Sequence, residues 1–145
     1  MGGFTFIELM LALAVVAVLL SIALPTYTAH RNKARVRAAA QQIALMQLAI
    51  QAYQTDNGSY PATLAAAGLG SPKDPWGRAY QYYNVDANGK GGARKDKALN
   101  PINTDYDLYS LGANGLSARQ LDNKDSLDDI VRANNGAFVG LSSDF

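Results

Sequence analysis

Glu8 is the residue whose placement calls for chemistry. It is the only formal charge in the stretch Phe4–Ala29, FTFIELMLALAVVAVLLSIALPTYTA. A carboxylate inside so apolar a segment is costly to insert into a membrane, and a helix serving only as an anchor gains nothing from that cost. A positive group on another chain would offset it. Other chemistry-bearing residues are sparse. The sequence has no cysteine, which excludes disulfides, thiolate metal sites and a cysteine nucleophile. His30 is the sole histidine, so a histidine-based triad or a multi-histidine metal site is excluded within one chain. Asp105, Asp107 and the serines therefore lack a histidine base for a nucleophile system. A net charge of +1 argues against a polyanion partner, and no nucleic acid is expected.

The element that must position Glu8 is a helix. An apolar run of roughly 20 or more residues is long enough to cross the hydrocarbon core. A cleaved secretory signal would need a basic start and a shorter core; only Met1, Gly2 and Gly3 precede this one. The helical pattern continues beyond the span. Val36, Ala39, Ile43, Met46, Ile50 and Tyr53 recur at steps of three and four, an apolar stripe that predicts packing on the domain that follows. The whole helix would be about 50 residues, or about 75 Å long, with a bend expected at Pro25. The basic run Arg31, Lys33, Arg35 and Arg37 suits lipid headgroups or salt bridges between subunits. By loop charge alone it would favour the cytoplasmic side.

After the turn at Asp56-Asn57-Gly58, composition predicts a short helix over Ala62–Ala67, closed by Gly68. A strand over Arg78–Val85 follows, with a turn at Asn88-Gly89 and a long mobile loop over Gly91–Thr104. A returning strand is expected over Tyr106–Leu111. Asp86-x-Asn88 has the opening spacing of an EF-hand loop, but its fifth and twelfth positions are Lys90 and Lys97, which cannot ligate calcium. The predicted fold class is α+β, a long N-terminal helix packed on a small antiparallel sheet.

Three motifs carry a family resemblance. Gly3-Phe4-Thr5-Phe6-Ile7-Glu8-Leu9 resembles the processing site of type IV pilins and type II secretion pseudopilins. Asp74-Pro75-Trp76-Gly77-Arg78-Ala79-Tyr80-Gln81-Tyr82 and Tyr106-Asp107-Leu108-Tyr109-Ser110-Leu111-Gly112-Ala113-Asn114-Gly115 are similar to stretches of the major, G-type pseudopilin. The resemblance implies a pilin-like fold, cleavage by a prepilin peptidase after Gly3, and methylation of the new N-terminus, Phe4. It further implies that Phe4, Thr5, Glu8 and Pro25 serve assembly, with Glu8 meeting a neighbour's N-terminal amine. Residues 1–3 would then be a residual leader, 4–29 the transmembrane and assembly helix, 30–55 its amphipathic continuation, and 56–145 a periplasmic domain. The departures are a leader without basic residues, Ala17 where pilins often have glycine, and Phe6 in place of leucine.

The same resemblance implies a calcium ion in the C-terminal turn. Its ligands would be backbone oxygens of Leu111 and Leu116 and side chains of Asn114, Ser126, Asp128 and Asp129; Asn114 stands where the family has aspartate. The implied function is a structural subunit of a type II secretion pseudopilus, a homo-oligomeric helical filament that helps drive protein export across the outer membrane. Its partners would be minor pseudopilins and an inner-membrane assembly platform, and its location the bacterial inner membrane, single pass. The alternatives are a type IV pilin for adhesion, motility or DNA uptake, and a membrane-anchored enzyme or sensor domain.

Overall fold

The computed structural model describes residues 2–145; Met1, and with it part of the expected leader, lies outside them. Helix α1, Phe6–Asn57, is continuous through Pro25. Pro25 has no N–H to give Ser21, and side-chain hydroxyls line the backbone on either side of it. Ser21 Oγ donates to Val18 O at 2.6 Å, Thr26 Oγ1 to Ile22 O at 3.0 Å and Thr28 Oγ1 to Pro25 O at 2.9 Å. The chain divides into two compact units, the residues up to Ala34 and Arg35–Phe145. Every described residue of the first unit is exposed.

The second unit is built on the predicted stripe. Ala39, Ile43, Met46 and Ile50 are buried, and Val36 packs beside them. They meet a four-stranded antiparallel sheet of order β1-β2-β3-β4. Its strands are β1 (Gln81–Asn84), β2 (Tyr106–Ser110), β3 (Ile130–Ala133) and β4 (Phe138–Leu141). The register pairs Tyr82 with Leu108, Ser110 with Ile130, and Ile130 with Leu141. Because side chains alternate across a strand, Tyr82, Tyr106, Leu108 and Ile130 join the helix-facing core. Val131 and Ala133 fall on the other face, where they cluster with Ile102 and Leu121.

The second unit departs from several expectations. Gly91–Thr104 is not a mobile loop: Ala93, Arg94, Ile102 and Asn103 are buried, and Lys95 bridges to Pro101 and Gln120. The expected helix over Ala62–Ala67 is a run of turns whose amides reach back three residues, Ala66 N to Thr63 O and Ala67 N to Leu64 O. One turn bounded by Pro61, Gly68 and Gly70 is too short to propagate. The strand expected over Arg78–Val85 narrows to β1. Asn88-Gly89 is no hairpin turn but the end of a four-residue helix, α2 (Val85–Asn88), which is capped by Asn84 Oδ1 accepting from Ala87 N. Strands β3 and β4 are additions to the predicted set. Asn134 and Asn135, both left-handed (φ 51° and 52°), turn the chain between them.

Candidate functional site

The helix N-terminus is built by Thr5 and Glu8. Thr5 precedes the first residue of α1, and Glu8 lies three positions on. The Thr5 amide donates to Glu8 Oε2 at 2.8 Å, its hydroxyl to the same oxygen at 2.7 Å, and the Glu8 amide donates back to Thr5 Oγ1 at 3.3 Å. This is a capping box, in which two otherwise orphaned amides of the first turn are satisfied reciprocally. Sequence reasoning took Glu8 as a group awaiting a partner on another chain and missed this local role, although Thr-x-x-Glu before an apolar run is its signature. Both bonds to the carboxylate fall on Oε2; among the described residues Oε1 has none. Gly3 and Phe4 lie just before the box and are exposed, while Pro25 is distant from it along the helix.

The two internal motifs meet in the second unit. Asp74 Oδ1 accepts from the amides of Trp76 at 3.0 Å and Arg78 at 2.9 Å, and its Oδ2 accepts from Ser110 Oγ at 2.6 Å. Gly77, at φ 86°, closes the turn by donating to Asp74 O at 2.8 Å. Arg78 then reaches across to Gly112 O at 2.6 Å and Ala113 O at 3.3 Å. The Asp-Pro-Trp-Gly turn is thus a clamp on the end of β2 and on the turn that follows it.

The residues singled out for calcium surround that same turn, and most of their oxygens are occupied. Leu111 O accepts from Gly115 N at 3.1 Å, and Asn114 Oδ1 from Leu116 N at 2.6 Å. Asp128 Oδ2 accepts from Asn114 N at 2.7 Å. Ser126 Oγ donates to Ala118 O at 3.0 Å and accepts from Ala118 N at 2.8 Å. Asp129 is fully buried, and its Oδ2 accepts from Arg94 Nη2 at 2.7 Å and from the Ser117 hydroxyl. Burial pushes the Asp129 carboxyl up to about 6, against the opposing pull of Ser117 and Arg94. Among the described residues no group of three or more acidic or imidazole side chains converges as a metal shell. Calcium takes six to eight oxygens; Asp129 Oδ1 is the one buried side-chain oxygen here without a partner. As arranged, these residues do not fit a calcium ion. Sequence reasoning missed Arg94, Ser117 and Arg78. A signal for Arg94 was available in Asp107, a carboxylate within the apolar strand β2, whose burial demands donors. It accepts from Arg94 N at 2.6 Å and Asn103 Nδ2 at 2.9 Å, while desolvation still raises its pKa.

Comparison with known proteins agrees with the motifs. The family model described as "Type II secretion system (T2SS), protein G" matches residues 26–70. The chain is 28% identical over 135 residues to the type II secretion system core protein G of Pseudomonas aeruginosa, covering 79% of this chain and 84% of that protein. It is 26% identical over 157 residues to the protein of the same name from Dickeya chrysanthemi, covering 92% and 87% respectively. It is also 34% identical over 83 residues to a fimbrial protein of Neisseria meningitidis, covering 57% of this chain and 49% of that one. No solved structure matches.

Proposed function

We propose, for a type IV pilin-like chain that resembles the major, G-type pseudopilin of type II secretion, the role of a structural subunit of the secretion pseudopilus. It is not an enzyme. It assembles through its N-terminal helix and helps to drive protein export across the outer membrane.

The observation that carries this reading is the bare apolar length of α1. From Phe6 to Leu24 its large side chains are about half exposed or more, Phe6 at 76% and Leu20 at 50%. A contiguous apolar surface of that extent marks a membrane or an assembly interface, and α1 is long and apolar enough to span a bilayer. Lipid covers it before assembly and neighbouring helices afterwards. We place the chain in the inner membrane as a single pass, its C-terminal domain periplasmic, with homologous minor subunits, a membrane platform and a prepilin peptidase as partners. Residues 1–3 are read as leader, Gly3 as the cleavage position and Phe4 as the methylated N-terminus. Glu8 sets register by meeting the amine of a neighbouring Phe4.

The test is filament assembly of Glu8→Ala and Glu8→Lys in secreting cells, alongside the N-terminal mass of the protein from membranes. Both variants are expected to keep a folded C-terminal unit and to lose filaments, and the mature mass is expected to begin at methylated Phe4. Wild-type filament yield from either variant, or a chain uncut at Gly3, overturns the mechanism. The fimbrial relative favours a second reading, a type IV pilin. Retractile surface fibres, rather than fibres tied to export of folded proteins, would support it.

A further inference from the structure

Two guanidinium groups hold the turn after β2 and the segment before β3, Arg78 on the turn and Arg94 between Ser117 and Asp129. Arg94, only 3% exposed, comes from the segment that covers the far face of the sheet. Its Nη2 lies 2.7 Å from Asp129 Oδ2. Its Nη1 donates to the Ser117 hydroxyl, which in turn donates to the same Asp129 oxygen. The guanidinium carbon sits 4.2 Å from the centroid of the Tyr109 ring, a stacking that a planar, weakly hydrated cation favours. A second guanidinium holds the other side. Arg78 binds Gly112 O and Ala113 O and packs so closely on Gly115 that a Cβ there would lie 2.6 Å from its central carbon.

A calcium ion in this region would gather carbonyl oxygens from the turn and carboxylate oxygens from the following segment. Here Arg78 holds two carbonyls of the turn, Gly112 O and Ala113 O, and Arg94 holds one carboxylate oxygen of the segment, Asp129 Oδ2. A dication added beside Arg94 would stand next to a buried like charge whose only acidic ion-pair partner among the described residues is Asp129, an arrangement the low-dielectric interior disfavours. We propose that Arg94 and Arg78 together take the place of a metal ion in holding the C-terminal turn, so that the folded unit is independent of calcium.

Two measurements on the full chain in detergent micelles test this. The first is equilibrium dialysis against radioactive calcium, and the second is thermal melting followed by near-ultraviolet circular dichroism in millimolar calcium chloride or in EGTA. The wild type is expected to bind no stoichiometric calcium and to show the same Tm in both buffers. Arg94→Gln is expected to lower Tm by about 10 °C in either buffer, since removing one partner strands the buried carboxylate. One calcium bound per wild-type chain, or a wild-type Tm several degrees higher in calcium than in EGTA, overturns the proposal. So does an Arg94→Gln protein that melts with the wild type. Should Arg94→Gln fail to fold, the wild-type dialysis and melts still decide.

Discussion

Replacing Arg132 by lysine tests whether guanidinium geometry, rather than charge alone, fixes α1 to the sheet. Arg132 lies on β3 and is 3% exposed. Its Nε donates to Gln47 Oε1 on α1 at 2.7 Å. Its two terminal nitrogens form a bidentate pair with Asp105, at 2.8 and 2.6 Å, and Nη1 also donates to Tyr106 O at 2.8 Å. The guanidinium carbon stands 3.9 Å from the centroid of the Tyr106 ring. One planar group therefore ties the helix, the start of β2 and β3 together. Lysine preserves the charge and one contact to Asp105, but it has no fork, so Gln47 Oε1 and Tyr106 O lose their donors. A buried acceptor left unpaired costs about 1–3 kcal/mol. Allowing for partial rearrangement, Arg132→Lys is expected to destabilise by about 2–3 kcal/mol, and Arg132→Ala, which strands Asp105, by about 3–5 kcal/mol. Chemical denaturation of the full chain in mild detergent measures this, with Trp76 as the reporter; it is the sole tryptophan and packs against the helix-facing core. If Arg132→Lys unfolds within about 0.5 kcal/mol of the wild type, the range of ordinary surface substitutions, the fork is not what joins helix to sheet.

Gly112→Ala is expected to destabilise the second unit by more than about 2 kcal/mol, because strain and collision act together. Gly112 has φ 61°, and a Cβ there would come within 2.0 Å of Asp128 O; a Tm equal to wild type would contradict this packing. At high pH the tyrosines in and against the core are the sensitive groups. Burial pushes the Tyr106 hydroxyl up to about 12, and Tyr80 and Tyr82 are raised in the same direction. A folded pKa above the unfolded value, for a group neutral when protonated, gives stability that is full below pH of about 10 and is lost as pH rises through the folded value. Phenolate absorbance should thus appear for these three only as the chain unfolds, and Tyr106→Phe should shallow the loss of stability above that pH; early ionisation of all eight tyrosines would show the core to be open.

The helix was legible because one physical signal repeats along it. An apolar residue every three or four positions puts Ala39, Ile43, Met46 and Ile50 on one face, and the structure buries all four. The far side of the sheet was not legible in that way, because much of what is buried there is polar and paired with other polar groups. Arg94, Asn103, Asp107, Ser126 and Asp129 are all buried, and a pattern of hydropathy reads each as surface. Their burial follows largely from pairing between distant segments, Arg94 with Asp129 and Asn103 with Arg132 O, and long-range pairing leaves no local period. The β3–β4 hairpin is a different case. Asn-Asn-Gly between Ile130-Val131 and Phe138-Val139 is a turn signal flanked by strand formers. It stands beside Ser126–Asp129, an acidic stretch easily taken for ligand. The four motif residues Asp74, Pro75, Trp76 and Gly77 were legible as a motif but not as a clamp, since only the folded chain brings Ser110 to Asp74.

Glu8 has a local role in the helix that bears on the assembly role proposed for it. The sequence poses it as a charge with no use inside a lone apolar segment. The structure supplies a use that needs no second chain: Oε2 holds the Thr5 amide and hydroxyl, so the carboxylate stabilises the helix end. That local role does not exhaust the group. A carboxylate can accept about four hydrogen bonds, and Oε1 carries none among the described residues. Under the proposed assembly, an amine from another chain would meet an acceptor already fixed in direction by the Thr5 contacts, and it would not have to dismantle the cap to reach it. The cap also limits the rotamers open to Glu8, which would reduce the ordering entropy of the proposed contact. Removing Thr5 Oγ1 would leave the charge in place but release it from that direction, and it would free a backbone amide, Glu8 N, in the first turn. The two residues act as one unit, in which threonine sets the aim and glutamate supplies the charge.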